Sequence, residues 1–416
     1  MIIFPQASGN ETNIKLPFSF IFLSILSIIA SQILLLVNSE MLSNGVFRVP
    51  GVWSAAHLFI LGWALTVAMG SMYQLVPVAF LTPIWNEAFG FVQFATFAIG
   101  VIWFSVALYV APSTALIPGL ITLLGILMFI FQMVMTLRKQ AKPNILTAFV
   151  GTALLCLFAT ISLGIIMVIS MNTGFASQYY LDIFKSHLLL GVVGWFTLLI
   201  FGFSYKMVPM FSLAHGYSMA LAKYVYFSYL AGLIVTLIGF IVDHSLILTL
   251  GILLLAVGFS LFAWHMSMIV KKRVKKKLDK PFQFALLGIC FGLLLHLLAV
   301  IFVLSNTFEN AAGPLLFLYL LSWIAFSIIG YLYKIVPFLW WTHKYSQEIG
   351  KKAVPSLKDM MNDRIAVPLF GALVGSGILI SIGLSFKIQL LYLSGQTLLC
   401  LSVIIFCGIV ASVIKK

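Results

Sequence analysis

Charged side chains are scarce in this sequence, and acidic ones are the scarcest. Only 8% of the 416 residues are charged, whereas 62% are hydrophobic. An ordinary soluble domain has about 25% charged residues and about 45–50% apolar ones. This composition excludes soluble enzymes, nucleic-acid-binding modules and disordered scaffolds, and it makes the lipid bilayer the expected partner.

Cysteines and intramembrane carboxylates are also rare. The four cysteines lie in apolar segments without C-x-x-C or metal-like spacing, which is typical of reduced packing residues. The ten acidic residues fall in loops or at helix ends, so no carboxylate is expected deep in the membrane. Proton pumps and ion-coupled transporters usually need such carboxylates, so the sequence argues against both.

Long apolar runs are abundant. A membrane-crossing helix needs about 20 mostly apolar residues, so the runs predict about twelve spans. Their continuous apolarity, without strand-like alternation, favours helices over a β-barrel. We predict an all-α polytopic bundle that forms a single transmembrane domain over residues 1–416 and lies in the plasma membrane. The predicted spans are 15–37, 52–82, 88–112, 114–137, 144–171, 183–213, 218–242, 244–270, 282–305, 314–341, 367–386 and 389–413.

The basic residues orient the bundle. The net charge is +14, and with these spans every Lys and Arg except Arg48, Lys185 and Lys387 falls on one side. Because cytoplasmic loops collect Lys and Arg, both termini are predicted to be cytoplasmic. The basic run at 271–280 is interpreted as a topogenic loop, and a role in binding lipid headgroups or a partner is the alternative.

Three of the predicted spans share a motif. Span 2 contains Trp63, Gly70, Tyr73, Val76 and Pro77, which give the pattern W-x6-G-x2-Y-x2-V-P. Copies four spans apart run in the same direction, so we predict three four-helix units with a pseudo-threefold axis, in which spans 2, 6 and 10 face a common centre. The further copies are Trp195, Gly202, Tyr205, Val208 and Pro209 in span 6, and Trp323, Gly330, Tyr333, Val336 and Pro337 in span 10.

The motif has two interpretations. Gly lets a neighbouring helix approach closely and Pro bends or ends a helix, so a packing motif inherited by duplication accounts for Trp, Gly and Pro. The alternative is a functional role for the hydroxyl groups of Tyr73, Tyr205 and Tyr333, at similar depths near the cytoplasmic face.

Histidine is the residue type in this sequence with the widest range of functional chemistry. His57, His187 and His296 lie in the outer half of the membrane by the predicted topology. A polar ring in hydrocarbon is costly unless it is paired, and neutral imidazole binds metals and haem iron. These three are candidate ligands, and the alternative is an imidazole bonded to a backbone carbonyl or a hydroxyl. The other histidines are expected to be peripheral: His215, His244, His265 and His343.

The chain resembles the haem–copper oxidase subunit I superfamily over essentially its whole length. The residues that carry the resemblance are AHLFILGWALTVAMGSMYQLVPVAF, HLLLGVVGWFTLLIFGFSYKMVPMF and GYLYKIVPFLWWTHKYS. They are most similar to divergent membrane relatives, which include C-type-oxidase-like proteins and NnrS-like proteins linked to nitric oxide stress. The resemblance implies a bundle of twelve helices whose functional helices are spans 2, 6 and 10.

The resemblance also implies ligands. The span 2 histidine of that superfamily binds the low-spin haem, and His57 lies on the matching helix; the span 6 histidine binds copper, and His187 matches it by helix and depth. His57 and His187 differ by two residues in their offset from Trp, so they are not strict repeat equivalents. Residues 218–242 lack the two further copper ligands expected on span 7. On span 10, the positions where haem ligands would be sought hold Leu315, Phe317 and Tyr319.

These departures shape the predicted function. One imidazole does not make a copper site of the usual kind, so the sequence argues against copper and against dioxygen reduction. We predict haem b bound by His57 and His296, with His187 lining the same cavity. The expected role is respiratory electron transfer or the handling of nitric oxide or oxygen, with a respiratory complex or an electron donor as partner. The alternatives are a membrane transporter or permease and a metal-free structural subunit of a respiratory complex. Methionines that could also ligate haem are Met69, Met72, Met207 and Met210.

Overall fold

The computed structural model describes residues 12–357, 359–361 and 363–416, without the side chain of Asp363. Glu11, Lys358 and the Asp363 carboxylate, which the sequence places outside the spans, are therefore outside the described part. Over the described residues the chain is helical, and its one extended pairing is an isolated bridge between Ala214 and Arg273. The all-α prediction is confirmed.

Within the described residues, twelve helices are long and apolar enough to cross a membrane, as predicted. We number them as spans 1 to 12 in chain order. They are Lys15–Val37, Pro50–Phe80, Glu87–Val110, Leu116–Leu137, Ile145–Thr173, Ser177–Ser212, Leu221–Val242, Ser245–Lys271, Lys280–Leu304, Phe308–Glu348, Arg364–Ser385 and Gln389–Lys415.

Span 10 departs most from its predicted bounds. The sequence predicts 314–341, whereas the span covers Phe308–Glu348. The apolar run ends where polar residues begin, but a helix needs only its backbone hydrogen bonds, which continue through polar ends. The lengths of the other spans follow the apolar runs closely because burial in hydrocarbon is what these helices have in common.

The chain forms two compact units. The first comprises residues 1–142 and 332–416, and the second comprises residues 143–331. Spans 1 to 4, 11 and 12 belong to the first unit, spans 5 to 9 belong to the second, and span 10 contributes to both. A single domain over the whole chain, and a common centre for spans 2, 6 and 10, stay predictions.

The motif glycines lie where neighbouring helices come closest. In the first unit, a Cβ on Gly70 would lie 2.7 Å from the Cβ of Phe20 on span 1. In the second unit, a Cβ on Gly202 would lie 3.0 Å from the Cβ of Phe149 on span 5. The third motif glycine, Gly330, packs against span 9 in the same way. The prediction that these glycines admit a close neighbour is confirmed.

Each motif helix contains a stretch of π-helix that the sequence did not predict. The stretches are Leu58–Leu65, Leu189–Phe196 and Tyr319–Ala325, and each includes the motif tryptophan. A π-helix bonds each N–H to the carbonyl five residues back; it is rare and is frequent at functional sites. The recurrence of the π-helix in all three copies supports the repeat more strongly than composition does.

The first two copies also end alike. Spans 2 and 6 pass through Pro77 and Pro209. The residues directly after these spans, Leu81 and Leu213, adopt the left-handed conformation with φ of 52° and 53°. The N–H of each leucine bonds to the carbonyl of its own proline. The third copy instead remains helical beyond Pro337, so proline alone does not end these helices.

Candidate functional site

His57 lies in the first unit, one residue before the π-helical stretch of span 2. Its Nδ1 is 2.8 Å from the carbonyl oxygen of Trp53. Because a carbonyl only accepts, Nδ1 carries the proton of the neutral ring, and Nε2 retains its lone pair. The ring is half-buried and packs edge-on against Phe104, with 5.2 Å between ring centroids.

His296 lies in the second unit, and its ring is oriented in the same manner. Its Nδ1 is 2.8 Å from the carbonyl oxygen of Gly292, again four residues back. The side chain is 7% exposed. Aromatic rings surround it: the ring of Phe259 is 4.3 Å away between centroids, that of Tyr319 5.5 Å and that of Tyr229 6.0 Å. His296 therefore occupies an aromatic cage made by spans 7, 8 and 10.

His187 lies in the second unit, and its ring is held by span 5. Its Nδ1 is 2.9 Å from the carbonyl oxygen of Thr160. A Cβ on Gly164 would lie 3.2 Å from Cε1 of the imidazole, so the missing side chain of that glycine makes room for the ring. The ring of His187 is thus held by a neighbouring helix, whereas His57 and His296 bond to their own helices.

A chain of buried hydroxyl groups lies beside the ring of His296. Thr197 Oγ1 is 2.8 Å from the Tyr319 hydroxyl, 3.2 Å from Trp323 Nε1 and 3.2 Å from the carbonyl oxygen of Val192. The Tyr319 hydroxyl is in turn 3.4 Å from that of Tyr229. The members of this cluster lie on spans 6, 7 and 10, so only the fold brings them together.

The proton positions in this chain follow from what each group can do. The indole N–H of Trp323 only donates, and the carbonyl of Val192 only accepts. Thr197 therefore donates to Val192 and accepts from Trp323 and from Tyr319, and Tyr319 accepts from Tyr229. Every donor in the chain has an acceptor, and it ends at a carbonyl of the π-helical stretch of span 6. Such a fully bonded network makes its core rigid.

The motif tyrosines have different partners in the two units. Tyr73 donates to Oε1 of Gln93 at 3.1 Å, in the first unit. Tyr205 bonds to Nδ1 of His265 at 3.1 Å, and Nε2 of that histidine is 2.8 Å from the carbonyl oxygen of Ser218. Since Nε2 must donate to the carbonyl, Nδ1 accepts from Tyr205. Both hydroxyls are thus engaged inside the protein, which favours packing over chemistry for these two residues.

The third motif tyrosine, Tyr333, belongs to the first unit. Its ring packs against Phe370 of span 11 and Phe406 of span 12, with centroid distances of 6.2 and 5.6 Å. His265, expected to be peripheral, is 2% exposed and holds Tyr205 in place. Its role is structural, but its position is in the core.

The structure groups the predicted site residues by unit. The first unit holds His57, with Tyr73 and Tyr333, and the second holds His187 and His296, with Tyr205; a shared cavity for the three histidines stays a prediction. Over the described residues, no three His, Cys, Asp or Glu side chains come together as a metal site.

Sequence reasoning missed most of the hydroxyl chain. Thr197 and Tyr229 lie in apolar runs where a single polar residue is ordinary, and Tyr319 was noted only because it stands where a haem ligand was sought. A usable signal was present: Trp323 is a motif residue whose N–H needs a partner when buried. The partner is 126 residues away in sequence, which no local pattern shows.

Comparison with known proteins bears on the fold. No family model and no curated protein sequence matches the chain. Among solved structures, a haem–copper terminal oxidase dimer determined by cryo-EM superposes with a TM-score of 0.63. The match covers 95% of this chain and 84% of the oxidase chain, at 12% sequence identity.

The fold is similar to that of this haem–copper terminal oxidase. The superposition includes nearly all of this chain, so the resemblance seen in the motif helices holds at the level of architecture. The chain is therefore a multi-pass membrane protein with an oxidase-like fold.

Proposed function

We propose that this chain is a haem-binding membrane protein that uses the oxidase fold without a complete copper site. Its role would be respiratory electron transfer or the handling of nitric oxide or oxygen, in the plasma membrane, as in the C-type-oxidase-like and NnrS-like proteins that it resembles. The cofactor proposed is a haem b group, which His57 and His296 would hold.

One observation carries the proposal. In both His57 and His296, Nδ1 donates to the carbonyl four residues back, at 2.8 Å. A ligating histidine almost always donates its other ring N–H to a carbonyl or carboxylate, which fixes the tautomer and directs the remaining nitrogen to the metal. No described residue hydrogen-bonds to Nε2 of either ring. The donor chemistry of these two residues therefore fits haem iron.

The protein's own contribution can be stated from its residues. A bound haem would supply one-electron redox chemistry. The two carbonyls, of Trp53 and Gly292, fix the tautomer of each imidazole and its rotation about the side chain. Phe259 and its aromatic neighbours exclude water from the ring of His296, and a low-polarity surrounding is one of the means by which proteins tune haem.

The first experiment is an absorption spectrum of the purified protein, with pyridine-haemochrome analysis. We expect a Soret band, and a reduced α band typical of b haem. His57→Gly should lose or shift these bands, and added imidazole should restore them, because free imidazole can occupy the cavity left by the side chain. A matched control is His343→Gly, whose exposed imidazole should be removable without any spectral change.

A colourless wild-type protein would overturn the proposal and leave the metal-free subunit or the transporter as the better account. His296→Gly separates the pairing from the cofactor. If it leaves the bands of the wild-type protein unchanged while His57→Gly removes them, haem is bound but His296 is not its ligand.

A further inference from the structure

The loop between spans 8 and 9 carries the densest positive charge in the chain. Span 8 ends at Lys271 and span 9 begins at Lys280, and the loop adds five more cations. Among these seven cations, the structure places only Lys275 in an ion pair, with Asp279 at 2.8 Å. The described cations of this loop without an ion pair are Lys271, Lys272, Arg273, Lys276, Lys277 and Lys280.

The second unit has no internal charge that could neutralise this loop. Its other acidic residues are Asp182, Asp243 and Glu309, which begin span 6, join spans 7 and 8, and begin span 10. Each of these positions is at the end of the spans opposite to the loop. Within the second unit, no described carboxylate other than that of Asp279 therefore lies at the end of the spans that carries these lysines, and an external anion is a partner of the right charge.

Backbone pairing holds the loop at the membrane surface. The N–H of Val274 donates to the carbonyl of Leu213 at 3.2 Å, and that of Lys275 donates to Ser212 at 3.4 Å. These bonds, with the bridge between Ala214 and Arg273, fix the loop against the end of span 6. A short loop between two membrane-crossing helices stays at headgroup depth, within the screening length of about 8 Å at physiological salt.

Apolar side chains extend from the loop along span 8. Trp264, Met268 and Lys272 are four residues apart, so they lie on one face of the helix. Trp264 is 57% exposed and Met268 is 45% exposed. Val274, within the loop, is 66% exposed. An apolar stripe that leads to a group of cations fits an acyl chain below a charged headgroup.

We propose that this face binds anionic phospholipid, with the headgroup phosphate at Lys271, Lys272 and Arg273 and an acyl chain along Trp264 and Met268. The phospholipid belongs to the leaflet at that end of the spans. Arg273 already donates from Nη1 to the carbonyl of Val270 at 3.1 Å, which holds its guanidinium beside the end of span 8. The site is independent of haem, so it stands or falls separately from the proposed function.

The experiment uses Trp264 as a reporter in vesicles. The full-length protein is reconstituted into phosphatidylcholine that contains an equal fraction of either brominated phosphatidylglycerol or brominated phosphatidylcholine. Bromine quenches nearby tryptophan, and subtracting the signal of Trp264→Phe isolates this reporter. We expect the anionic lipid to be preferred by about five-fold for one engaged cation, since a basic residue near the membrane contributes about 1 kcal/mol.

Two matched variants decide the outcome. The triple variant Lys271→Gln, Lys272→Gln, Arg273→Gln should lose the preference, and it keeps Lys275, Lys276, Lys277 and Lys280 to maintain topology. A control triple variant in another basic loop should retain the preference: Arg138→Gln, Lys139→Gln, Lys142→Gln. Raising the salt to 1 M should weaken the preference in the wild-type protein.

Three results would overturn the site. Equal quenching by the two lipids in the wild-type protein would leave the cations for an acidic partner protein. A preference that survives in the first triple variant would place the lipid elsewhere. A loss that is equal in both triple variants would show a general effect of charge.

Discussion

Spans 1–4 of the first unit and spans 5–8 of the second are two versions of one four-helix repeat. Their close contacts between helices correspond: a Cβ on Gly62 would meet the side chain of Ser27, and one on Gly194 would meet that of Cys156. The tyrosine rings correspond too. Between ring centroids, Tyr73 lies 5.5 Å from Phe20 of span 1, and Tyr205 lies 5.8 Å from Phe149 of span 5. The scaffold is common to both repeats.

The polar chemistry of the two repeats differs. A Cβ on Gly125 would meet the backbone of Phe97, and one on Gly258 would meet that of Tyr229, so these two residues correspond. The hydroxyl of Tyr229 is the first donor of the hydroxyl chain, whereas Phe97 has no hydroxyl and donates no such hydrogen bond. Gln132 and His265 occupy corresponding positions on spans 4 and 8. Gln132 donates to the carbonyl of Asn86 in the first unit, whereas His265 donates to the carbonyl of Ser218 in the second.

Packing corresponds between the two repeats more closely than buried polar chemistry does. The glycines and aromatic rings that set helix separation are alike, while the buried polar groups differ. The second unit is therefore where a specialised interior is expected, and its hydroxyl chain beside His296 is the feature that distinguishes it.

The largest effect is expected from Thr197→Val. The substitution keeps the shape but removes the acceptor of the Trp323 N–H and of the Tyr319 hydroxyl, and the carbonyl of Val192 loses the threonine donor. At about 1–3 kcal/mol for each buried group, the loss should be about 3 kcal/mol or more. The control in the first repeat is Thr66→Val, whose hydroxyl serves only the carbonyl of Leu61 and should cost about 1 kcal/mol. SDS titration in mixed micelles measures both, and equal losses would refute the contrast.

Gly100→Ala and Gly232→Ala should destabilise their repeats to a similar degree. In each, the new Cβ would lie 2.5 Å from a backbone nitrogen of the neighbouring helix, so the helices must separate. The expected loss in the free energy of unfolding is about 1–3 kcal/mol for each. Gly151→Ala is the control, because nothing lies within 4 Å of its added Cβ. A loss in only one of the two repeats would mean that the scaffold is not common.

His265→Leu should cost about 1–2 kcal/mol, because it leaves the Tyr205 hydroxyl without its acceptor while the Ser218 carbonyl can turn to water. His265→Gln should cost less, since an amide can donate to Ser218 as Gln132 does to Asn86, and its oxygen can accept from Tyr205. The same SDS titration compares the two variants. If His265→Gln lowers the free energy of unfolding as much as His265→Leu does, the two hydrogen bonds of the imidazole do not account for its contribution.

The smallest effect is expected from Tyr229→Phe, which gives the second repeat the residue type of Phe97. Tyr229 stands at the donor end of the chain, so its removal leaves no donor unpaired, and the cost should be about 1 kcal/mol. Tyr319→Phe removes a central member and should cost more. Reversal of this order would contradict the proton positions assigned to the chain.

Much of the fold could be predicted from the sequence because the bilayer imposes one strong constraint. Apolar runs gave the spans, and the spacing of Trp63, Gly70 and Tyr73 revealed the repeat, since copies of a motif are visible without knowledge of contacts. The π-helical stretches could not be predicted, because a change in helical period inside a uniformly apolar run leaves no pattern of hydropathy. The hydroxyl chain was missed for another reason: Thr197, Tyr229 and Tyr319 lie on three different helices.

The candidate haem ligands were also predicted only in part from the sequence. Depth and helix number selected His57, His187 and His296 from the sequence, and the structure gives the carbonyl that each Nδ1 contacts. Which carbonyl lies beside a ring depends on side-chain rotation and on the neighbouring helix, as the contact of His187 with span 5 shows. No sequence pattern encodes that choice.

The π-helical stretches have a consequence for how these helices can change. A π turn takes up one more residue than an α turn, so the stretch at Leu58–Leu65 sets the rotation of everything before it relative to everything after it. Deleting one residue there would restore a continuous α-helix and swing His57 by about 100° about the helix axis, while Gly70 and Tyr73 stayed in contact with span 1. Single-residue insertions and deletions at these three stretches therefore offer a way to redirect the outer residues without disturbing the inner packing.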